Sequence, residues 1–182
     1  MPSTLPDAEE LLPRLAEAIR PALTPASAMI GLHTGGAWVA ERLYPMLGLK
    51  DGLGLMDIAF YRDDYAKAGL KHDPKRTRIP FEVEGRDLLL VDDVLYTGRT
   101  VRAAMNELFD YGRPGCIELA VLADRGGREL PIAPQYCGAQ VAVSADQVLV
   151  LERGRVTYHG PVEGGIKVYR SRLMQSTAGE GP

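Results

Sequence analysis

The chain has 182 residues, 46% of them hydrophobic and 25% charged, with a formal net charge of −3. That length is a prior for one domain with a real core, and the balance excludes a disordered, collagenous or coiled-coil chain. No apolar run approaches the ~20 residues of a membrane helix, and residues 1–10 carry acids rather than the basic-then-apolar pattern of a signal peptide. A cytosolic protein with no membrane partner is expected. Cys116 and Cys137 lack metal-ligand spacing and read as buried or incidental thiols. Positive charge gathers in residues 62–80, where Arg62, Lys67, Lys71, Lys75, Arg76 and Arg78 outnumber Asp63, Asp64 and Asp73; the chain on either side is acidic. A dedicated nucleic-acid binder shows a broader basic excess, so an anionic small molecule is the expected target.

In chain order, Asp7 to Arg20 predicts a helix, with Leu11, Leu12, Leu15 and Ile19 on one stripe and Asp7 as N-cap. Ala28 to Leu32 is a short apolar strand. The small-residue turn His33-Thr34-Gly35-Gly36 follows, then a helix from about Ala37 to Leu47 that Pro45 should kink or shorten. Leu53 to Tyr61 reads as a strand, and residues 62–80 as a long polar loop of the kind that is usually functional. Asp87 to Val91 is the strongest buried-strand signal; it leads through Asp92-Asp93 and Thr97-Gly98-Arg99-Thr100 into a helix ending near Gly112. Cys116 to Leu122 is another buried strand. The loop Asp124 to Pro131 comes next, and a late hairpin pairs Val148–Leu151 with Val156–Tyr158. Residues 171–182 read as a flexible tail behind a single domain, 1–170. Strands alternating with helices predict an α/β fold with a mostly parallel sheet.

Ligands of open α/β sheets bind beyond the carboxyl ends of the strands. There the turn Thr97-Gly98-Arg99-Thr100 opens a helix whose first N–H groups lack intrahelical partners, with two hydroxyls at the same mouth. This is the physics of a phosphate cup. The adjacent carboxylates of Asp92 and Asp93 would repel a phosphate unless they grip hydroxyls or a divalent cation. A phosphorylated sugar with magnesium satisfies both features; a helix capped by Thr97, with the acids at a solvated strand end, is the plainer alternative.

The run Leu90-Val91-Asp92-Asp93-Val94-Leu95-Tyr96-Thr97-Gly98-Arg99-Thr100 resembles the phosphoribosyl-pyrophosphate (PRPP) motif of type I phosphoribosyltransferases. With Phe60-Tyr61-Arg62-Asp63-Asp64, Tyr111-Gly112-Arg113-Pro114 and Ala123-Asp124-Arg125-Gly126-Gly127-Arg128-Glu129-Leu130-Pro131, it is similar to the pyrimidine operon attenuator/uracil phosphoribosyltransferase family, PyrR. The resemblance implies a type I phosphoribosyltransferase fold, its central sheet flanked by helices, with a mobile β-arm and a small hood. It implies uracil phosphoribosyltransferase activity with Mg2+, in which Asp92 and Asp93 hold the ribose hydroxyls of PRPP and possible metal contacts. Tyr96, Thr97, Gly98, Arg99 and Thr100 belong to the ribose and 5′-phosphate site. His33, Thr34, Gly35 and Gly36 match the pyrophosphate loop, where a non-proline cis peptide is typical. Residues 62–80, with Arg62, Lys75 and Arg76, match the mobile arm, and Asp124, Arg125, Gly126 and Arg128 the uracil-binding loop.

Two positions refine this. Tyr96 stands where purine-using relatives place an acid, which favours a pyrimidine, although plain packing of the ring explains it equally well. In the pyrophosphate loop the family commonly has a Lys or Arg followed by Thr-Arg-Gly, whereas here His33 and Gly35 replace the two cations. Trp38 reads as a core anchor, and His72 and His159 as solvated. The resemblance also implies a homo-oligomer and an alternative function, a UMP- or UTP-sensing RNA-binding regulator of pyrimidine genes. The first helix offers only Arg14 and Arg20, and residues 132–143 no Lys or Arg, so RNA binding is expected to be weak.

Overall fold

A computed structural model describes residues 7–58, 77–141, 147–152 and 155–177. Helix α1 (Ala8–Ile19) starts where expected, and the Asp7 carboxylate accepts the N–H of Glu9 at 3.2 Å. Strand β1 (Ser27–Leu32) is wholly buried and runs through a short turn into α2 (Gly35–Leu47). Pro45 lies inside α2 without ending it, because only two residues follow before Gly48 closes the helix in the left-handed conformation. Strand β2 (Leu53–Met56) covers the first part of the expected strand; Ala59 to Tyr61 lie outside the described residues.

The long strand β3 (Asp87–Leu95) departs from expectation by continuing through the acid pair. Parallel pairing with β4 (Cys116–Asp124) carries it on, with Asp92 opposite Val121 and Leu95 opposite Asp124. Between the two strands lies α3 (Arg99–Leu108). Strand β5 (Tyr136–Gln140), unpredicted because it has no apolar run, pairs parallel to β4. A Cβ at Gly138 would come within 2.6 Å of the Leu122 carbonyl and 3.4 Å of Leu11 Cβ, so the missing side chain lets the edge strand lie under α1.

The five parallel strands run in the order β2-β1-β3-β4-β5. Alternation along the strands divides the core between two faces. Met29, Leu89, Val91, Ala120 and Leu122 pack with α1 and α2, while Ile30, Leu88, Leu90, Leu119 and Val121 pack with Val101, Ala104 and Leu108 of α3. Trp38, half-buried against the first cluster, is the core anchor expected of it, with the Arg42 guanidinium 5.6 Å from its ring centre.

The late hairpin forms as an antiparallel pair, β6 (Gln147–Glu152) and β7 (Arg155–Pro161), and α4 (Val162–Thr177) packs on it. Helix α4 runs past residue 171, where the sequence reads as a tail, because residues 162–177 hold no proline and the hairpin gives the helix a surface to pack on; residues 178–182 lie outside the described residues. Of the two readings for the cysteines, incidental rather than buried thiols holds: Cys116, at the start of β4, and Cys137, in the edge strand, are both exposed and free.

Candidate functional site

In this strand order the chain turns outward in opposite directions from β1 and β3, and the crevice opens beyond their carboxyl ends. The two turns that meet there are His33–Gly36 and Asp92–Thr100. The His33–Thr34 peptide is cis, as the resemblance implies, and the His33 N–H donates to the Met56 carbonyl at 2.8 Å. A Cβ at Gly35 would fall 1.9 Å from Asp93 Oδ2, and one at Gly36 would fall 2.5 Å from the Val91 carbonyl oxygen and 2.7 Å from Asp92 Cα. The loop therefore lies directly on the acid pair, and at Gly36 the obstacle is backbone. No side chain fits.

Asp92 is 4% exposed, and its Oδ1 accepts the N–H of Asp93 at 2.9 Å. The Asp93 Oδ1 accepts the N–H of Val94, also at 2.9 Å, which leaves Oδ2 toward Gly35. Each carboxylate is thus oriented by the amide that follows it, a charge-assisted bond that fixes its rotamer. Successive strand residues point to opposite faces, and accordingly one acid is buried and its neighbour half-buried.

Gly98, with φ of +90°, turns the chain into α3. No side-chain cap occupies the helix end itself; the Thr97 hydroxyl oxygen accepts the Arg99 N–H at 3.3 Å. The amides of the first turn therefore face the crevice side of the sheet with the helix dipole behind them, an arrangement that suits an anion.

The third wall is the loop after β4. Gly126 and Gly127 both have positive φ, and a Cβ at Gly127 would collide with the Tyr96 ring at 2.4 Å. The Arg125 guanidinium lies 4.3 Å from the centre of that ring. Tyr96 itself is 46% exposed, so it is packed by the loop without being buried. The Asp124 carboxylate pairs with Arg128 at 2.7 Å and accepts the Gly126 N–H at 2.9 Å. Burial alone would raise the Asp124 carboxyl, but the bonds from Arg128 and Gly126 and the Arg128 charge outweigh it and hold it below the usual carboxylate range. Arg99 donates through Nε and Nη2 to Glu129 at 2.8 Å. The sequence paired neither Arg99 with Glu129 nor Arg128 with Asp124, and the carbonyls that Arg128 also meets leave no mark on residue identity.

Arg62, Lys75 and Arg76 of the expected arm, and His72, lie outside the described residues. On either side of that segment, Leu55 and Arg78 exchange backbone hydrogen bonds at 2.9 and 2.8 Å, and Thr77 Oγ1 accepts the Asp57 N–H and donates to Glu107. Among the described residues no group of three or more His, Cys, Asp or Glu is arranged to hold a metal ion. The Cys137 and Cys116 thiols are held above their ordinary range, mainly by packing around the sulfur and secondarily by nearby acids, and offer no ready thiolate.

A family model described as phosphoribosyl transferase domain matches residues 14–147, so the fold and crevice are those of a phosphoribosyltransferase. Solved structures agree on the fold: a hypoxanthine phosphoribosyltransferase of Staphylococcus aureus superposes with a TM-score of 0.64 at 19% identity, covering 90% of this chain and 93% of that one. The Bifunctional protein PyrR of Ralstonia nicotianae is 54% identical over 151 residues, covering 81% of this chain and 86% of that protein; its counterpart in Pseudomonas paraeruginosa is 47% identical over 148 residues, covering 79% and 87%. The chain belongs to the PyrR family.

The lowered Asp124 carboxyl makes a pH prediction. A carboxyl held lower in the folded state than in the unfolded one adds stability above its unfolded value and loses it as pH falls through the folded value. Urea unfolding should therefore find wild type more stable than Asp124→Asn at neutral pH, with the difference shrinking as the solution is acidified through the carboxylate range. A difference that stays constant or widens contradicts the assignment.

Proposed function

We propose that this chain transfers the phosphoribosyl group of PRPP to uracil, forming UMP and pyrophosphate. The observation that carries the reading is the acid pair Asp92–Asp93 set against the glycine loop Gly35–Gly36, beside the open end of α3. Asp92 and Asp93 take the ribose hydroxyls, the turn Thr97–Thr100 the 5′-phosphate, and the loop His33–Gly36 the pyrophosphate. The loop Asp124–Arg128 receives the ring through its backbone groups. Tyr96, in contact with Arg125 and close to Gly127 at the base-loop end, offers no acid to a purine.

In the reaction the bond from the anomeric carbon to the pyrophosphate oxygen breaks, a bond to the uracil nitrogen forms, and the nitrogen's proton leaves. No protein nucleophile is needed, and the raised thiols fit this. The chain's task is to hold base and sugar in line, meet the charge of the departing pyrophosphate with loop amides and arm cations, and exclude water that would hydrolyse PRPP. Two neighbouring carboxylates suit magnesium, which binds through one or two carboxylates together with substrate oxygens. Bound there it would neutralise leaving-group charge. The reading includes a cytoplasmic location and a homo-oligomer; among the described residues no helix is long and apolar enough to cross a membrane.

Turnover with PRPP and magnesium should consume uracil, and not hypoxanthine, guanine or orotate, with UMP as product. Consumption of a purine in preference to uracil overturns the substrate assignment. A second reading is favoured by the name Bifunctional that the relatives carry: the same pocket senses UMP or UTP and controls binding to a pyrimidine-gene transcript. At the end of α1 one nitrogen of the Arg20 guanidinium is hydrogen-bonded to the Met46 carbonyl, on a helix whose cations are few. RNA titration should accordingly show weak affinity with a shallow salt dependence, since the slope grows by roughly 0.7–0.9 per neutralised phosphate. Tight binding of a leader RNA at physiological salt, strengthened by UMP, makes regulation a full second function.

A further inference from the structure

Arg128 stands in the base loop, where a cation is ordinarily read as a ligand contact, yet its guanidinium faces the protein. Nε donates to the Ile132 carbonyl at 3.0 Å. Nη1 donates to the Tyr96 carbonyl at 2.7 Å, with the Gly126 and Leu95 carbonyls also in reach at 3.3 and 3.4 Å. Nη2 pairs with Asp124 Oδ1 at 2.7 Å. All three nitrogens are engaged by the fold. The acceptors come from the end of β3, the end of β4 and both halves of the loop between β4 and β5.

The backbone is joined along the same line. The Arg125 N–H donates to Leu95, and the N–H groups of Glu129 and Leu130 both donate to Thr97. Ile132 and Leu130 close against Gly98 at 3.3 to 3.5 Å from where a Cβ would stand. The loop between β4 and β5 contains two left-handed glycines and no regular structure of its own, so it has much backbone freedom to lose. Among the described residues only the Arg128 side chain bridges its two halves and the end of β3 at once. A lysine carries a single nitrogen on a flexible stem and cannot reproduce a planar fork with acceptors on several sides.

We propose that Arg128 is a positioning residue, acting through the carbonyls of Leu95, Tyr96, Gly126 and Ile132 to hold the base loop in fixed relation to the phosphate turn. The base then meets a loop whose amides are already placed relative to the sugar. The proposal rests on the phosphoribosyl-transfer reading, and its test has one arm that needs no substrate. In Arg128→Lys and Arg128→Ala chains, kcat/KM for uracil should fall by about 100-fold, the penalty for roughly 1 Å of misplacement. The loss should lie mainly in the uracil KM, with the PRPP KM little changed. Free guanidinium at low concentration should restore part of the Arg128→Ala activity. Without any substrate, tryptic cleavage after Arg125 should be faster in both variants than in wild type. Unchanged cleavage after Arg125, or equal loss toward both substrates, overturns the positioning role. A wild-type chain inactive toward uracil would instead overturn the functional reading, and the cleavage rates would still decide the clamp.

Discussion

The close approach of the Gly35–Gly36 backbone to Asp92 and Asp93 is the constraint on which the site depends. It brings the turns after β1 and β3 into one crevice, where the reversal of strand order opens the sheet. Any side chain at Gly36 would meet the backbone of the acid pair, so loop and strand end cannot be varied independently. One consequence is electrostatic. Two carboxylates stand beside the glycine loop and the open end of α3, so the crevice is suited to a molecule that offers hydroxyls and phosphates side by side.

The parts of the molecule that were legible in sequence are those whose signal is side-chain pattern. The buried strands β1, β3 and β4 announce themselves as apolar runs, and α1 and α3 as apolar stripes with a cap or a glycine stop. The acid pair and the Thr97–Thr100 turn were legible because phosphate and hydroxyl recognition need particular residue types. Strand β5 was not, because Tyr136 to Gln140 gains its place from parallel pairing with β4 and from a missing side chain at Gly138, neither of which is periodic. Whether Cys116 and Cys137 are buried or incidental is not legible for a related reason: apolar neighbours in sequence do not say which end of a strand, or which edge of a sheet, a residue occupies.

The base loop shows the same limit at finer scale. Arg125, Arg128 and Glu129 look alike on paper as exposed charges of a functional loop. In the fold they have three different tasks: Arg125 covers the Tyr96 ring, Arg128 bridges carbonyls, and Glu129 holds Arg99 at the start of α3. An exposed pair such as Arg99–Glu129 adds little stability, whereas the half-buried Arg128 fork joins the end of β3, the end of β4 and both halves of the base loop through one side chain. The phosphate turn and the base loop are therefore one unit; on the proposed function that unit and the acid pair would supply the described chain's main hold on a sugar phosphate, because His33 and Gly35 stand where the family commonly has cations.

That claim is tested most directly by titrating PRPP with magnesium into the full chain and into Asp93→Asn by calorimetry. Wild type should bind, and Asp93→Asn should bind about 100-fold more weakly, the loss for a charge-assisted hydrogen bond worth about 3 kcal/mol, while unfolding at the same temperature. Equal affinity of the two chains for PRPP would contradict the account.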